Sequence, residues 1–159
     1  MCGICGIAVT RGGPHVSEMM LRKMNETISH RGPDEDGFYV NEKVGLASRR
    51  LSIIDLTSGT QPISNEDETI RIVFNGEIYN YRELRNYLEK HGHLFRTHSD
   101  TEAILHLYEE FGTDCLQHLD GIFAIAIWNE NKQELLLARD RMGIKPMYYT
   151  HLPDGQFIF

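Results

Sequence analysis

Ile70-Arg71-Ile72-Val73-Phe74-Asn75-Gly76-Glu77-Ile78-Tyr79-Asn80 is the stretch on which the fold turns. Its first part, Ile70–Phe74, is an apolar run bounded by polar residues and reads as a strand. Asn75-Gly76 ordinarily signals a type I′ hairpin turn, which would send the chain straight back as a second strand. The next stretch, Tyr81–His91, has helical periodicity instead. The strand is therefore expected to end at Asn-Gly in a loop, which would hold a carboxamide and an unhindered backbone N–H side by side. Asn80 then opens a helix, with Glu83 three residues on as in a capping box, and Gly92 closes it.

Outward from that unit the alternation continues. A second helix is expected from Ser99, again with an acidic partner at Glu102, along the apolar face Ile104, Leu107, Tyr108 and Phe111 to Gly112. Upstream lie a strand over Gly3–Thr10, a helix over Ser17–His30 with Met20, Met24 and Ile28 on one face, and strands over Gly37–Val40 and Val44–Arg50. Downstream, Phe123–Trp128 (FAIAIW) is apolar throughout, which suits a strand buried on both faces. Glu134–Arg139 and Met147–Thr150 complete the strands, and Asp154-Gly155 marks a hairpin turn. Many strands with few helices imply a layered α+β domain in which helices cover sheets from outside. No linker or repeat divides the chain, and it stops at Phe159 within an apolar strand-like run, as if cut from something longer.

The bulk properties narrow the function. At 159 residues the chain has the length of one compact domain, and 41% apolar with 25% charged residues is ordinary for a globular protein. A net charge of −7 argues against nucleic acid or an anionic membrane as partner, since both demand a basic surface. No stretch approaches the ~20 apolar residues needed to span a bilayer. The N-terminus lacks the basic region of a signal peptide, and its short apolar run Ile4–Val9 is interrupted by Gly6 and stopped by Arg11. Three cysteines, Cys2, Cys5 and Cys115, are too few and odd in number for a disulfide framework, so a cytoplasmic protein is expected.

Chemistry enters at Met1-Cys2. Cysteine is small enough that an initiator methionine ahead of it is normally removed, which would leave Cys2 with a free α-amine. A free thiol ordinarily titrates at about 8.5 and an α-amine at about 7.7–8.0. Nucleophile and base would then sit on one residue, with the base close to operating pH. On its own a cysteine at position 2 is more often a plain structural residue. Cys2-Gly3-Ile4-Cys5 also reads as C-x-x-C, yet zinc would want two further ligands at a paired spacing, and no second C-x-x-C or H-x-x-x-H follows. In a strand, residues three apart point to opposite faces, so the two thiols are expected to diverge, with Cys5 and Cys115 as plain buried cysteines.

Further segments belong with Cys2: His30-Arg31-Gly32-Pro33-Asp34, Arg50-Leu51-Ser52-Ile53, Phe74–Asn80, and Ala138-Arg139-Asp140. Together, in this order and from Cys2 to the end of the chain, they resemble the class II glutamine amidotransferase domain of the N-terminal-nucleophile hydrolases. Within that family the likeness is to the N-terminal half of glutamine-hydrolysing asparagine synthetases. The resemblance implies a four-layer αββα sandwich over residues 1–159 and a glutaminase activity on L-glutamine. It implies Cys2 as nucleophile, with the Asn75 side chain and Gly76 N–H as the oxyanion hole. It assigns the substrate α-carboxylate to Arg50, and the α-ammonium to Asp100 helped by Glu77.

Plainer readings stand beside these. Strand alternation alone puts Arg49, not Arg50, on the more apolar face with Ala47, Leu51 and Ile53, so only the likeness selects Arg50. Asp100 also reads as a first-turn acid favoured by the helix dipole beside Ser99. Pro33 makes Gly32 extended and stops the first helix, giving a rigid loop with Arg31 in a polar network. The other histidines are scattered and are assigned no role. Arg139–Gly143 resembles the family segment that lies toward the partner domain, and reads equally well as a loop ion pair.

The resemblance implies no metal or organic cofactor for this domain. ATP and magnesium would belong to a synthetase domain, whose SGGxDS-type loop does not occur in these residues, so that domain is expected in the remainder of a longer chain or in another one. A catalytically silent glutamine-binding or docking module, and the glutaminase domain of a sugar-modifying amidotransferase, stay open as other readings. An apolar edge at the last strand would invite self-association, so a homodimer is also an expectation.

Overall fold

The computed structural model describes residues 2–10, 12–51 and 59–159. Met1, Arg11 and the Ser52-Ile53 end of the arginine segment lie outside the described residues. Among those described, strands β1 (Gly3–Val9), β2 (Glu35–Val40), β3 (Val44–Arg50), β4 (Ile63–Ser64), β5 (Ile70–Ile78), β6 (Gly121–Asn129), β7 (Glu134–Arg139), β8 (Thr150–His151) and β9 (Gln156–Ile158) form two antiparallel sheets. One has the order β2-β3-β1-β9-β8 and the other β4-β5-β6-β7. Helix α1 (Glu18–Thr27) covers the outer face of the first sheet; α2 (Tyr81–Lys90) and α3 (Asp100–Phe111) cover the second.

Side-chain alternation explains the layering. In β5, Ile72, Phe74 and Ile78 face α2 and α3 and meet Leu88, Ile104 and Leu107, whereas Val73 faces the other sheet with Val44, Leu46, Ala126 and Trp128. In β1, Cys5 and Ile7 meet Leu21 of α1, while Ile4 and Ala8 face inward. Three apolar seams between four layers make the αββα sandwich. β6 is buried on both faces, as its apolar sequence requires.

Several boundaries differ from expectation, each for a tertiary reason. β5 does not stop before Asn75-Gly76; it runs through both to Ile78, because β6 pairs residue for residue with it as far as Ile78↔Gly121. At Gly76 an added Cβ would lie 2.2 Å from the Ile122 carbonyl oxygen, so this glycine serves close strand approach and not a turn. The α-helix of the first unit ends at Thr27, and a 3-10 turn over Ser29–Arg31 completes the stretch. Asn80 precedes α2 without capping it: its side chain donates to the His118 carbonyl and accepts from Asp120 N–H. Ser99 does cap α3, accepting from Glu102 N–H at 3.4 Å, but the Glu102 carboxylate turns to Arg96 and Thr97 N–H at 2.7 Å each. Of the strand expected over Met147–Thr150, only Thr150 lies in β8. The Asp154-Gly155 hairpin joins β8 to β9, with Gly155 at φ 89°.

Candidate functional site

The same alternation that builds the inter-sheet seam carries polar residues to one of its ends. On the first sheet, Cys2 continues the inward face of Ile4, and Arg50 continues that of Leu46 and Ser48; extending the register Gly3↔Arg49 by one sets Cys2 opposite Arg50. On the second sheet, Asn75 and Glu77 continue the inward face of Val73. These four side chains, with Gly76 and Asp100, line one cleft of about 250 Å³. All six candidate residues are thus brought together. The cleft is small for a ligand site, below the ~300 Å³ at which drug-sized pockets begin.

At the cleft, the Cys2 Sγ lies 3.5 Å from the Leu51 N–H, and Arg31 Nε donates to the Cys2 carbonyl at 3.0 Å. Arg31 is therefore the polar tie expected of the His30–Asp34 segment. Cys5 faces the opposite way, into the α1 seam, so the two thiols of the C-x-x-C do diverge. Burial pushes the Cys5 and Cys115 thiols up to about 12, which leaves neither able to act as a nucleophile near neutrality.

The donors of β5 are set by ladder geometry. Tyr79 N–H donates to Asp120 and Glu130 N–H donates to Thr69, which fixes the odd-numbered residues of β5 as those bonded to β6. The N–H groups of Phe74, Gly76 and Ile78 consequently point away from β6. Phe74 N–H is received by Gln61 Oε1 at 2.7 Å and Ile78 N–H by Asp100 Oδ2 at 3.0 Å. Gly76 N–H lies between them on the cleft side, beside the Asn75 carboxamide, whose residue is 5% exposed.

Arg50 Nη1 is bonded to Glu35 Oε2 at 3.1 Å. Glu35 is held below the usual carboxylate range, foremost by the Thr60 hydroxyl and further by Arg50. Arg49 leaves the cleft: its Nε donates to the Asn25 carbonyl at the α1 layer. Alternation alone was right that Arg49 shares the Ala47 face, and that face packs on α1. Asp100 is half-buried, and burial foremost, with the neighbouring Glu77 charge, raises its carboxyl from 3.8 to about 6 against the Ile78 N–H bond. A cation arriving at Asp100 would neutralise the Glu77 repulsion and offset the cost of burial, favouring the carboxylate.

Gln61, Thr101 and Lys145 also line the cleft and were not singled out from sequence. Gln61 ties three elements, since its carbonyl accepts from Ser48 Oγ, its Oε1 from Phe74 N–H, and its Nε2 donates to Thr101 Oγ1. Nothing in the string Gln61-Pro62 announces this, because its partners lie 13 and 40 positions away in the chain. The Arg139–Gly143 segment is organised around the buried Asp140 carboxylate, which accepts from Phe123, Ile144 and Lys145 N–H. Beyond it Met142, Ile144, Tyr148 and Tyr149 are exposed. A larger groove of about 1230 Å³ lies against Trp128, Leu135, Leu137, Met147 and Tyr149, and is mainly apolar. No helix among the described residues is long and apolar enough to cross a membrane.

Comparisons with known proteins agree on one family. A family model described as a glutamine amidotransferase domain matches residues 1–159. Asparagine synthetase [glutamine-hydrolyzing] 2 of Bacillus subtilis is 49% identical over 155 residues, covering 96% of this chain and 20% of its own length. Asparagine synthetase [glutamine-hydrolyzing] 1 of the same organism is 49% identical over 156 residues, covering 97% and 25%. The chain thus spans about a quarter or less of these two relatives. Among solved structures, the glutamine phosphoribosylpyrophosphate amidotransferase of B. subtilis superposes with a TM-score of 0.77 at 21% identity, over 98% of this chain and 40% of that one. That likeness speaks for the fold.

Proposed function

Because this chain belongs to the glutamine amidotransferase domain family, we propose that it is the ammonia-releasing part of an asparagine synthetase-like enzyme, with Cys2 as the nucleophile on L-glutamine. The observation that carries this reading is the convergence of Cys2, Arg50, Asn75, Gly76, Glu77 and Asp100 on one small cleft at the end of the inter-sheet seam.

In this reading Met1 is removed, and the Cys2 thiol passes its proton to its own α-amine. The thiolate attacks the side-chain amide carbon of glutamine, and Asn75 Nδ2 and Gly76 N–H receive the oxyanion. The α-ammonium returns the proton to departing ammonia, leaving a γ-glutamyl thioester that water hydrolyses to glutamate. Glu35 orients the Arg50 guanidinium for the substrate carboxylate, and Asp100 with Glu77 receives the ammonium. No step is routed through a metal or organic cofactor. ATP-dependent synthesis is assigned to a synthetase domain outside these residues, facing the exposed Met142, Ile144, Tyr148 and Tyr149. A cytoplasmic setting accords with three free cysteines.

Intact mass before and after 6-diazo-5-oxo-norleucine tests the proposal. Loss of Met1 and one stoichiometric adduct on Cys2 are expected. A mature Cys2 that stays unmodified would favour a silent glutamine-binding module.

Asp100 supplies a second test through pH. Its carboxyl titrates at about 6, and only the carboxylate attracts an ammonium. Glutamine affinity, measured by calorimetry on Cys2→Ala protein to exclude turnover, is expected to weaken below pH 6 by about tenfold per unit. Asp100→Asn should bind weakly and without that pH limb; an unchanged limb in this variant would remove Asp100 from the site. For stability the sign is opposite. The folded protein holds more protons than the unfolded chain between 3.8 and about 6, so Asp100 lowers stability as pH rises through that window.

A further inference from the structure

We propose that His93, His106 and Glu109 form a zinc site in the outer helical layer, built from the α2–α3 loop and the middle of α3. The three donor atoms face one another: His93 Nδ1 and His106 Nδ1 are 3.2 Å apart, and Glu109 Oε2 lies 2.6 Å from the second and 3.5 Å from the first. A tetrahedral zinc with bonds of ~2.0–2.1 Å has ligand–ligand edges of roughly 3.3 Å, so two of the three edges already match. The third, at 2.6 Å, would have to open by about 0.7 Å on binding a cation, within the reach of a side-chain torsion.

The chain brings these atoms together for local reasons. His106 and Glu109 are i and i+3 on α3 and share a face. Gly92, at φ 97°, ends α2 and turns His93 back over that face, with His93 N–H bonded to the Leu88 carbonyl.

What distinguishes the cluster from a chance gathering is its outer ring of partners. His93 Nε2 is 2.9 Å from Glu110 Oε1 and Glu109 Oε1 accepts from Asn65 Nδ2 at 2.7 Å, whereas His106 Nε2, 3.7 Å from Glu102 Oε1, is buried without a hydrogen-bond partner. A histidine that gives its far N–H to a carboxylate turns its other nitrogen, as a lone pair, to the metal; this is the usual arrangement around zinc. His93, held in that tautomer by Glu110, turns its Nδ1 lone pair to the point where His106 Nδ1 and Glu109 Oε2 also meet, and a zinc ion there would take all three atoms in place of the His106–Glu109 hydrogen bond. A set of two imidazoles and a carboxylate suits zinc. His106 is 1% exposed, which makes one side of the point dry. The other side opens to a groove of about 440 Å³ that Glu66 also lines, leaving room for water or that carboxylate as fourth ligand. The site lies apart from the glutamine cleft and ties the α2–α3 loop to the helix whose first residue is Asp100.

The experiment is zinc loading of chelator-stripped full chain at mildly alkaline pH, read by elemental analysis and by competition with a chromogenic chelator. Cys2 could hold zinc through its thiol and α-amine, so the Cys2→Ala protein is the reference. It is expected to retain one zinc per chain and to gain thermal stability as zinc is added. Cobalt in its place should give tetrahedral ligand-field bands without a thiolate charge-transfer band. His93→Gln and Glu109→Gln should weaken zinc at least ~100-fold, and Glu110→Gln, which leaves all three ligands in place, by roughly 10-fold or more. His106 is too buried to serve as the deciding variant, whereas His93, Glu109 and Glu110 are partly exposed; circular dichroism checks that their variants fold. Zinc absent from Cys2→Ala, or retained undiminished by His93→Gln and Glu109→Gln, overturns the proposal. Neither result touches the glutaminase reading, which is decided at Cys2.

Discussion

Cys2→Ala is expected to abolish glutamine hydrolysis, with kcat lowered by roughly 10⁴–10⁶-fold, in a protein that still folds and still binds glutamine. The fold is indifferent to this side chain for a visible reason. Cys2 is only half-buried, its Sγ touches the backbone of Leu51, and it lies outside the three apolar seams. The cleft residues that would hold the substrate zwitterion, Arg50 and Asp100, are positioned by Glu35 and by Ile78 N–H, neither of which depends on the thiol. Steady-state ammonia release and glutamine calorimetry on the same preparation separate the two properties. Activity within tenfold of the parent would sink Cys2 as nucleophile, and loss of binding together with activity would make it a packing residue.

The second large effect is expected at Asn75. Asn75→Ala should lower kcat by ~10²–10³-fold, or about 2.7–4 kcal/mol of transition-state stabilisation, with KM changed little. The split between the parameters is diagnostic, because an oxyanion donor is used only once the tetrahedral intermediate forms. A raised KM with unchanged kcat would make Asn75 a binder of ground-state glutamine. Asn75→Asp should fall at least as far, since it presents a carboxylate to a developing negative charge. Gly76 is unsuitable for the same comparison. Any side chain there meets the Ile122 carbonyl and Phe123 Cα, so activity would be lost together with the β5–β6 ladder.

How far the amino-acid string discloses this molecule depends on where each determinant lies. β3 and β7 are read to the residue, because alternation and their polar borders are local properties. Asn75-Gly76 misleads for the opposite reason: its turn propensity is overridden by nine residue pairings with a strand some fifty positions later. Two-residue β4 carries no periodicity, and the Asn80 side chain finds its partners at His118 and Asp120, not in its own helix. The site divides in the same way. Strand alternation in the structure carries Cys2, Arg50, Asn75 and Glu77 to inward faces, but the sequence alone ends the strand at Asn75-Gly76 and favours Arg49, so only family resemblance singles these residues out. The ties of Gln61 and the meeting of His93 with His106 are contacts between residues 13 to 40 positions apart, which leave no local trace.

β1 has one consequence of another kind. The strand that begins next to Cys2 is bordered on one side by β3 and on the other by β9, and Gly6 exchanges both of its backbone hydrogen bonds with Phe159. During synthesis, its first neighbour emerges early and its second only after the whole intervening chain has been made. Until then Ile7, Ala8 and Val9 offer an unpaired edge of apolar sequence to any passing strand. Closure across so much chain is also slow compared with pairing to β3. β1 is therefore made before both of its borders and receives the second of them only when β9 has been added.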